Sequence, residues 1–164
     1  MKRALKVANV LSWFSVIFIG INVVCGLLLA LAGGNPSMIL SSVIVASIPL
    51  HSYAALQLHR SIRRPETKLS HQTPAGIRFV GLVAFLLGAL LVIGGAGLLG
   101  YAPELYASMA KEKVKMPVLG DLTIPVLREV GGIYLTLGLV VTVNVILNLR
   151  LLRWYYLVHQ SDAS

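Results

Sequence analysis

The chain has 164 residues, 57% of them hydrophobic and only 12% charged, with a mean hydropathy of +0.82. A soluble domain ordinarily carries about 25% charged residues, so a water-facing surface of the usual kind is excluded and the apolar side chains must meet lipid. The net charge of +8 would suit nucleic acid, but no recognition fold is there to carry it, and the placement of the charges argues for a membrane surface instead.

A bilayer core about 30 Å thick needs about 20 apolar residues in a helix. The first such run is Val7–Leu31, after Lys2, Arg3 and Lys6. It ends at Gly33-Gly34-Asn35-Pro36, a cluster of helix breakers. It also has the basic start of a secretory signal, and Ala30-Leu31-Ala32 resembles a cleavage site. A signal's apolar region is about 7–15 residues, and this run is longer, so a retained span is expected. Cys25 lies inside it and is the only cysteine. An internal disulfide and any paired-thiol metal or redox site are therefore excluded.

The second run, Met38–Leu58, ends at His59-Arg60. Pro49 inside it removes a backbone donor and should kink the helix, freeing carbonyls near Val45 or Ala46. The connection over 60–76 is basic and punctuated by Pro65 and Pro74. It has no phosphate-binding glycine loop and no paired carboxylates.

The third run, Ile77–Leu99, is rich in glycine. Gly81, Gly88 and Gly95 recur every seven residues with Ala84 on the same face, and Gly94, Gly97 and Gly100 add more. Small residues let membrane helices approach closely. The stripe is expected to be the tightest seam of a helix bundle or a homodimer face. The connection over 101–129 should open with a short amphipathic helix, Pro103–Lys115, lying near headgroups. The apolar segment Met116–Pro125 should then be extended or turned, packed across helix ends or against a partner subunit.

The fourth run is Val130–Leu149, before Arg150. All four runs lack Lys, Arg, Asp and Glu away from their ends. Each must be helical, because lipid offers no partner to an exposed N–H or C=O. The runs are too long, and too little alternating, for barrel strands. The expected fold is an all-α, single-domain bundle of four transmembrane helices over 1–164.

Charge placement orients it. With the N-terminus inside, the cytoplasmic side holds Lys2, Arg3, Lys6, Arg60, Arg63, Arg64, Lys68, Arg78, Arg150 and Arg153. The other side holds Lys111, Lys113, Lys115 and Arg128, balanced by Glu104, Glu112, Asp121 and Glu129. The positive-inside rule then places both termini in the cytoplasm of a cell inner membrane. Arg60, Arg63, Arg64, Lys68, Arg78, Arg150 and Arg153 are expected to touch anionic headgroups or an acidic partner. Trp154, Tyr155 and Tyr156 follow the last two at the same interface.

Polar residues inside a membrane mark helix contacts or function. His51 lies nine residues from Arg60, roughly 13 Å inside the inner end. Asn144 and Asn148 are four apart and share a helix face. Ser12 lies six beyond Lys6. The expectation is an interior cluster of Ser12, His51, Ser52, Asn144 and Asn148, serving interhelical hydrogen bonds, a bound ligand such as a lipid or quinone, or proton handling. Haem would need a second intramembrane histidine. His59, His71 and His159 map to the inner surface, are expected to be solvated, and have no recognised metal-ligand spacing. No catalytic residue, metal or cofactor is expected. Ser47 or Ser52 with His51 on one helix is poorly placed for a nucleophile–base pair.

The layout, with Ile48-Pro49 in the second span leading to Leu56-Gln57-Leu58 and a basic inner loop, resembles a family of small uncharacterised bacterial four-helix membrane proteins. That resemblance implies the helix layout and no particular activity. Small multidrug transporters need an intramembrane acid, and glutathione-linked four-helix enzymes need a charged inner motif. Neither is present. The expected role is a non-enzymatic structural or accessory membrane protein, in a larger complex or a homo-oligomer. The alternative is a binder or carrier using a cavity around His51.

Overall fold

The computed structural model describes residues 2–64, 66–67, 69–70, 72–111 and 123–161. Lys68, His71 and the segment 112–122 lie outside the described residues, and so do the expectations placed on them. Among the described residues, seven helical elements follow in order: α1 (Lys2–Phe14), a π-helical turn (Ser15–Ile19), α2 (Gly20–Ala32), α3 (Pro36–Val45), α4 (Ser47–Arg63), α5 (Gln72–Lys111) and α6 (Ile124–Ser161). They make four helices long and apolar enough to cross a membrane: Lys2–Ala32, Pro36–Arg63, Gln72–Met109 and Ile124–Val158. Outward side chains such as Val10, Ile17, Leu28, Phe79 and Ile93 are exposed, an outside more apolar than water tolerates.

Every span is longer than the hydropathy pattern suggested, and prolines mark the earlier starts of the last three. Pro36 begins α3 behind Asn35, whose side chain accepts from the N–H groups of Ser37 at 3.1 Å and Met38 at 3.3 Å. Pro74 lies in the first turn of α5 and Pro125 in the first turn of α6. A first-turn residue needs no amide donor, so proline starts a helix there. The fourth span therefore begins at Ile124, and Ile124-Pro125 are helical rather than extended. The third helix also runs on through Pro103 after a single non-helical residue, Tyr101 (φ −110°, ψ 19°). The expected amphipathic helix is its continuation, described as far as Lys111.

Pro49 acts as anticipated. The break falls at Ala46, between α3 and α4, next to the Val45 carbonyl that a donor at Pro49 would have bonded; the Ala46 carbonyl accepts from Leu50 N–H at 3.1 Å. The first span is also irregular, with a π turn at Ser15–Ile19. The turn packs along α4, and the Cβ position of Gly20 is 3.8 Å from Pro49 Cβ. Between these spans Gly34 takes φ +60°, a left-handed turn that glycine makes without strain.

Contacts divide the chain into two units, 1–87 with 141–164, and 88–140. In the first, two apolar layers draw on all four spans: Ala8, Leu58, Ile77, Leu151 and Leu152, and then Ile19, Ile48, Ala84, Val141 and Val145. The second unit is an antiparallel pairing of α5 with α6, built on glycine. A Cβ on Gly138 would lie 2.7 Å from the Gly88 carbonyl oxygen. One on Gly95 would overlap the Leu135 amide nitrogen and lie 2.7 Å from the Gly131 oxygen. These are backbone-to-backbone approaches that only glycine permits.

Candidate functional site

Within the first unit a polar layer lies between the two apolar ones. Ser12, Ser52, His59, Asn144 and Asn148 are at most 1% exposed. Ser12 Oγ donates to Asn144 Oδ1 at 3.1 Å, and Asn144 Nδ2 donates to Ser52 Oγ at 3.1 Å. Asn148 Nδ2 donates to Ser12 Oγ at 3.3 Å and to Asn144 Oδ1 at 3.1 Å. His59 Nε2 meets Asn148 Oδ1 at 2.8 Å. The Asn148 amide already uses its nitrogen as donor, so its oxygen must accept and His59 must carry its proton on Nε2.

Four of the five expected residues are thus brought together: Ser12, Ser52, Asn144 and Asn148. His51 is fully buried but stands outside the network. The Ile77 backbone is close enough to interact with its ring. No donor or acceptor among the described residues meets either nitrogen with hydrogen-bond geometry. The ring is seated on Gly81: a Cβ there would lie 2.8 Å from both Cε1 and Nδ1 of His51. The hydroxyls of Ser15, Ser47 and Thr142 are likewise buried without a partner among the described residues.

His59 corrects the sequence reading, which placed it at a solvated surface. It is 1% exposed because α4 continues to Arg63 and carries it on the same face as Ala55 and His51, at four-residue steps. That spacing was visible in the sequence. Of the stripe residues, Gly81 faces His51, Ala84 is fully buried in the second apolar layer, and Gly88 and Gly95 meet α6. Their counterparts, Gly131 and Gly138, were missed although they too are seven apart.

The basic residues take separate places. Arg60 and Arg63 occupy the last turn of α4, where cations complement the helix dipole, and Arg64 caps it. Ser61 Oγ, beside them, donates to the Thr67 carbonyl at 2.8 Å and ties down the connection. Arg78 lies over the Tyr156 ring, 5.4 Å from its centroid. With Arg153, Leu149 and Leu152 these two line a recess of about 550 Å³. Arg150 is exposed. No group of three or more His, Cys, Asp or Glu among the described residues is placed to hold a metal ion. Comparison with protein-family models, with curated proteins and with solved structures gave no match.

Proposed function

We propose that the chain is a multi-pass protein of a cytoplasmic membrane, both termini inside, acting as a non-enzymatic accessory or structural subunit that associates with another membrane helix. The observation that supports this is an open glycine face on α5. Among the described residues, no atom of another element lies within 4 Å of where a Cβ would stand on Gly94, Gly97 or Gly100. Gly97 is two residues, or about 200° of helix, beyond Gly95, which is filled by α6. The open stripe therefore turns away from α6. Such a surface favours close approach by a further helix, from a second copy or a larger complex.

The test uses cysteine at position 97 in a Cys25→Ser background, with mild crosslinking in native membranes. A discrete adduct with a second copy or one other subunit is expected, and Gly94→Leu should abolish it without unfolding the monomer. A lone monomer under all crosslinking conditions would sink the idea.

One observation favours a second reading, a small-molecule, lipid or quinone binder at His51: both ring nitrogens are buried, and apart from the nearby Ile77 backbone no polar group among the described residues comes within hydrogen-bonding reach of them. His51→Leu separates the two. A ligand site loses its co-purifying molecule, detected by mass spectrometry, with the fold intact. A packing residue changes stability alone.

A further inference from the structure

One groove is not used by the association proposed above. It runs between α1 and α4 and has a volume of about 540 Å³, within the range of about 300–1,000 Å³ usual for ligand sites. Trp13 and Val16 line it from the first span, and Tyr53 and Leu56 from α4; at one end it carries Arg60, Arg63 and Arg64. The two ends differ in chemistry. Arg60, Arg63 and Arg64 are exposed and, by spacing, share one side of the helix end. None of the three is ion-paired among the described residues. The other end is aromatic and apolar, with Trp13 51% and Tyr53 58% exposed.

The length of the groove matters as much as its charge. From Arg63 to Tyr53 is ten residues, or about 15 Å of helix. That is half of a hydrocarbon core about 30 Å thick, the depth of one leaflet. A free phosphate would use only the arginine end, and an apolar ligand only the other. A phospholipid uses both at this spacing. Guanidinium groups pair with phosphate oxygens by parallel N–H···O bonds. Trp13 and Tyr53 bring exposed aromatic rings along which an acyl chain can lie.

We infer that the α1–α4 groove binds one anionic phospholipid, its headgroup phosphate held by Arg60, Arg63 and Arg64 and one acyl chain lying along Trp13, Val16 and Leu56. The inference rests on the membrane placement proposed above, not on the glycine-mediated association. The His59 ring lines the same groove, and its Nε2 is held by Asn148. An occupied groove therefore abuts the polar layer through a single side chain.

The test reconstitutes the full chain into phosphatidylcholine nanodiscs with phosphatidylglycerol as the minor component. Lipid retained by the ejected protein is counted by native mass spectrometry. One phosphatidylglycerol should be retained in preference to phosphatidylcholine. The triple variant R60Q/R63Q/R64Q should weaken retention by about 100-fold, from the loss of three surface cations near an anionic headgroup. Leu56→Trp, which fills the groove without changing charge, should also expel the lipid. R78Q/R153Q, in the other arginine recess, should leave retention unchanged. Thermal unfolding of each variant reports that it is folded. Retention by the triple variant or by Leu56→Trp overturns the site. So does an equal loss in R78Q/R153Q, which marks diffuse attraction to the basic face. Failure to enter the nanodiscs, read by sedimentation, removes the membrane placement and this site with it.

Discussion

Gly81→Ala tests whether His51 is held by shape. The added Cβ would stand 2.8 Å from two ring atoms of His51, where ordinary contacts begin at 3.4 Å. The ring must then withdraw by about 0.6 Å, and it is fully buried, with Val145 close to the same position. Overpacking of this kind costs about 1–3 kcal/mol. Alanine recovers about 1 kcal/mol of helix propensity, so a net loss of up to about 2 kcal/mol is expected. His51→Ala removes the obstacle, and in that background Gly81→Ala should become neutral or stabilising. The double-mutant cycle should give a favourable coupling of about 0.5–3 kcal/mol, the range for residues in direct contact. Reversible unfolding in mixed detergent micelles measures all four corners. If the two changes simply add, His51 is not seated on Gly81 and the packing argument is wrong.

Three further outcomes follow from the same geometry. Gly95→Ala should destabilise the α5–α6 pairing by about 1–3 kcal/mol, because its Cβ meets backbone that cannot yield, whereas Gly94→Ala, one residue away with open space, should be neutral or stabilising by up to about 1 kcal/mol in the same unfolding assay. Asn144→Leu removes two bonds to other spans; at about 0.6 kcal/mol each, and at most about 1.7, unfolding should show a loss of about 1–3 kcal/mol. His59→Phe keeps the ring but leaves Asn148 Oδ1 without its donor, so it should cost about 1–3 kcal/mol, and a variant as stable as the parent would contradict the buried hydrogen bond.

Much of this arrangement was legible because depth and face are both periodic quantities. Counting back from Arg60 and Arg150 put His51, Asn144 and Asn148 in the same half of the membrane, and the four-residue step put both asparagines on one face. Hydropathy is a poorer guide to where helices end. It stopped the second span at Leu58, so His59 was read as surface although it continues the face of His51. Pro74 and Pro125 were taken for loop because proline ends helices, yet each lies in a first turn where it costs no hydrogen bond. The π turn left no mark at all. Ser15–Ile19 contains neither proline nor glycine, and the turn packs along α4, a tertiary contact that the local sequence does not display. The separation of His51 from the network depended on ring orientation, which spacing alone does not give.

The polar layer is better understood as a device for register than as a source of stability. Its four bonds between spans, at about 0.6 kcal/mol each, total only a few kcal/mol. Their geometry is more selective than their energy. Asn148 Oδ1 must reach His59 while its nitrogen reaches Ser12, and Asn144 must reach Ser12 and Ser52 together. Turning α6 by one residue, about 100°, would break every one of these contacts and leave amides and hydroxyls unpaired in an apolar interior, each at about 1–3 kcal/mol. Apolar packing discriminates far less sharply between neighbouring rotations, because Val and Leu at adjacent positions substitute for one another. Such a lock is most useful beside irregular backbone. The π turn and the break at Ala46 lie one to two turns along α1 and α4 from Ser12 and Ser52, where the two helices would otherwise be freest to slip. The buried polar groups thus secure the part of the first unit whose backbone is least regular.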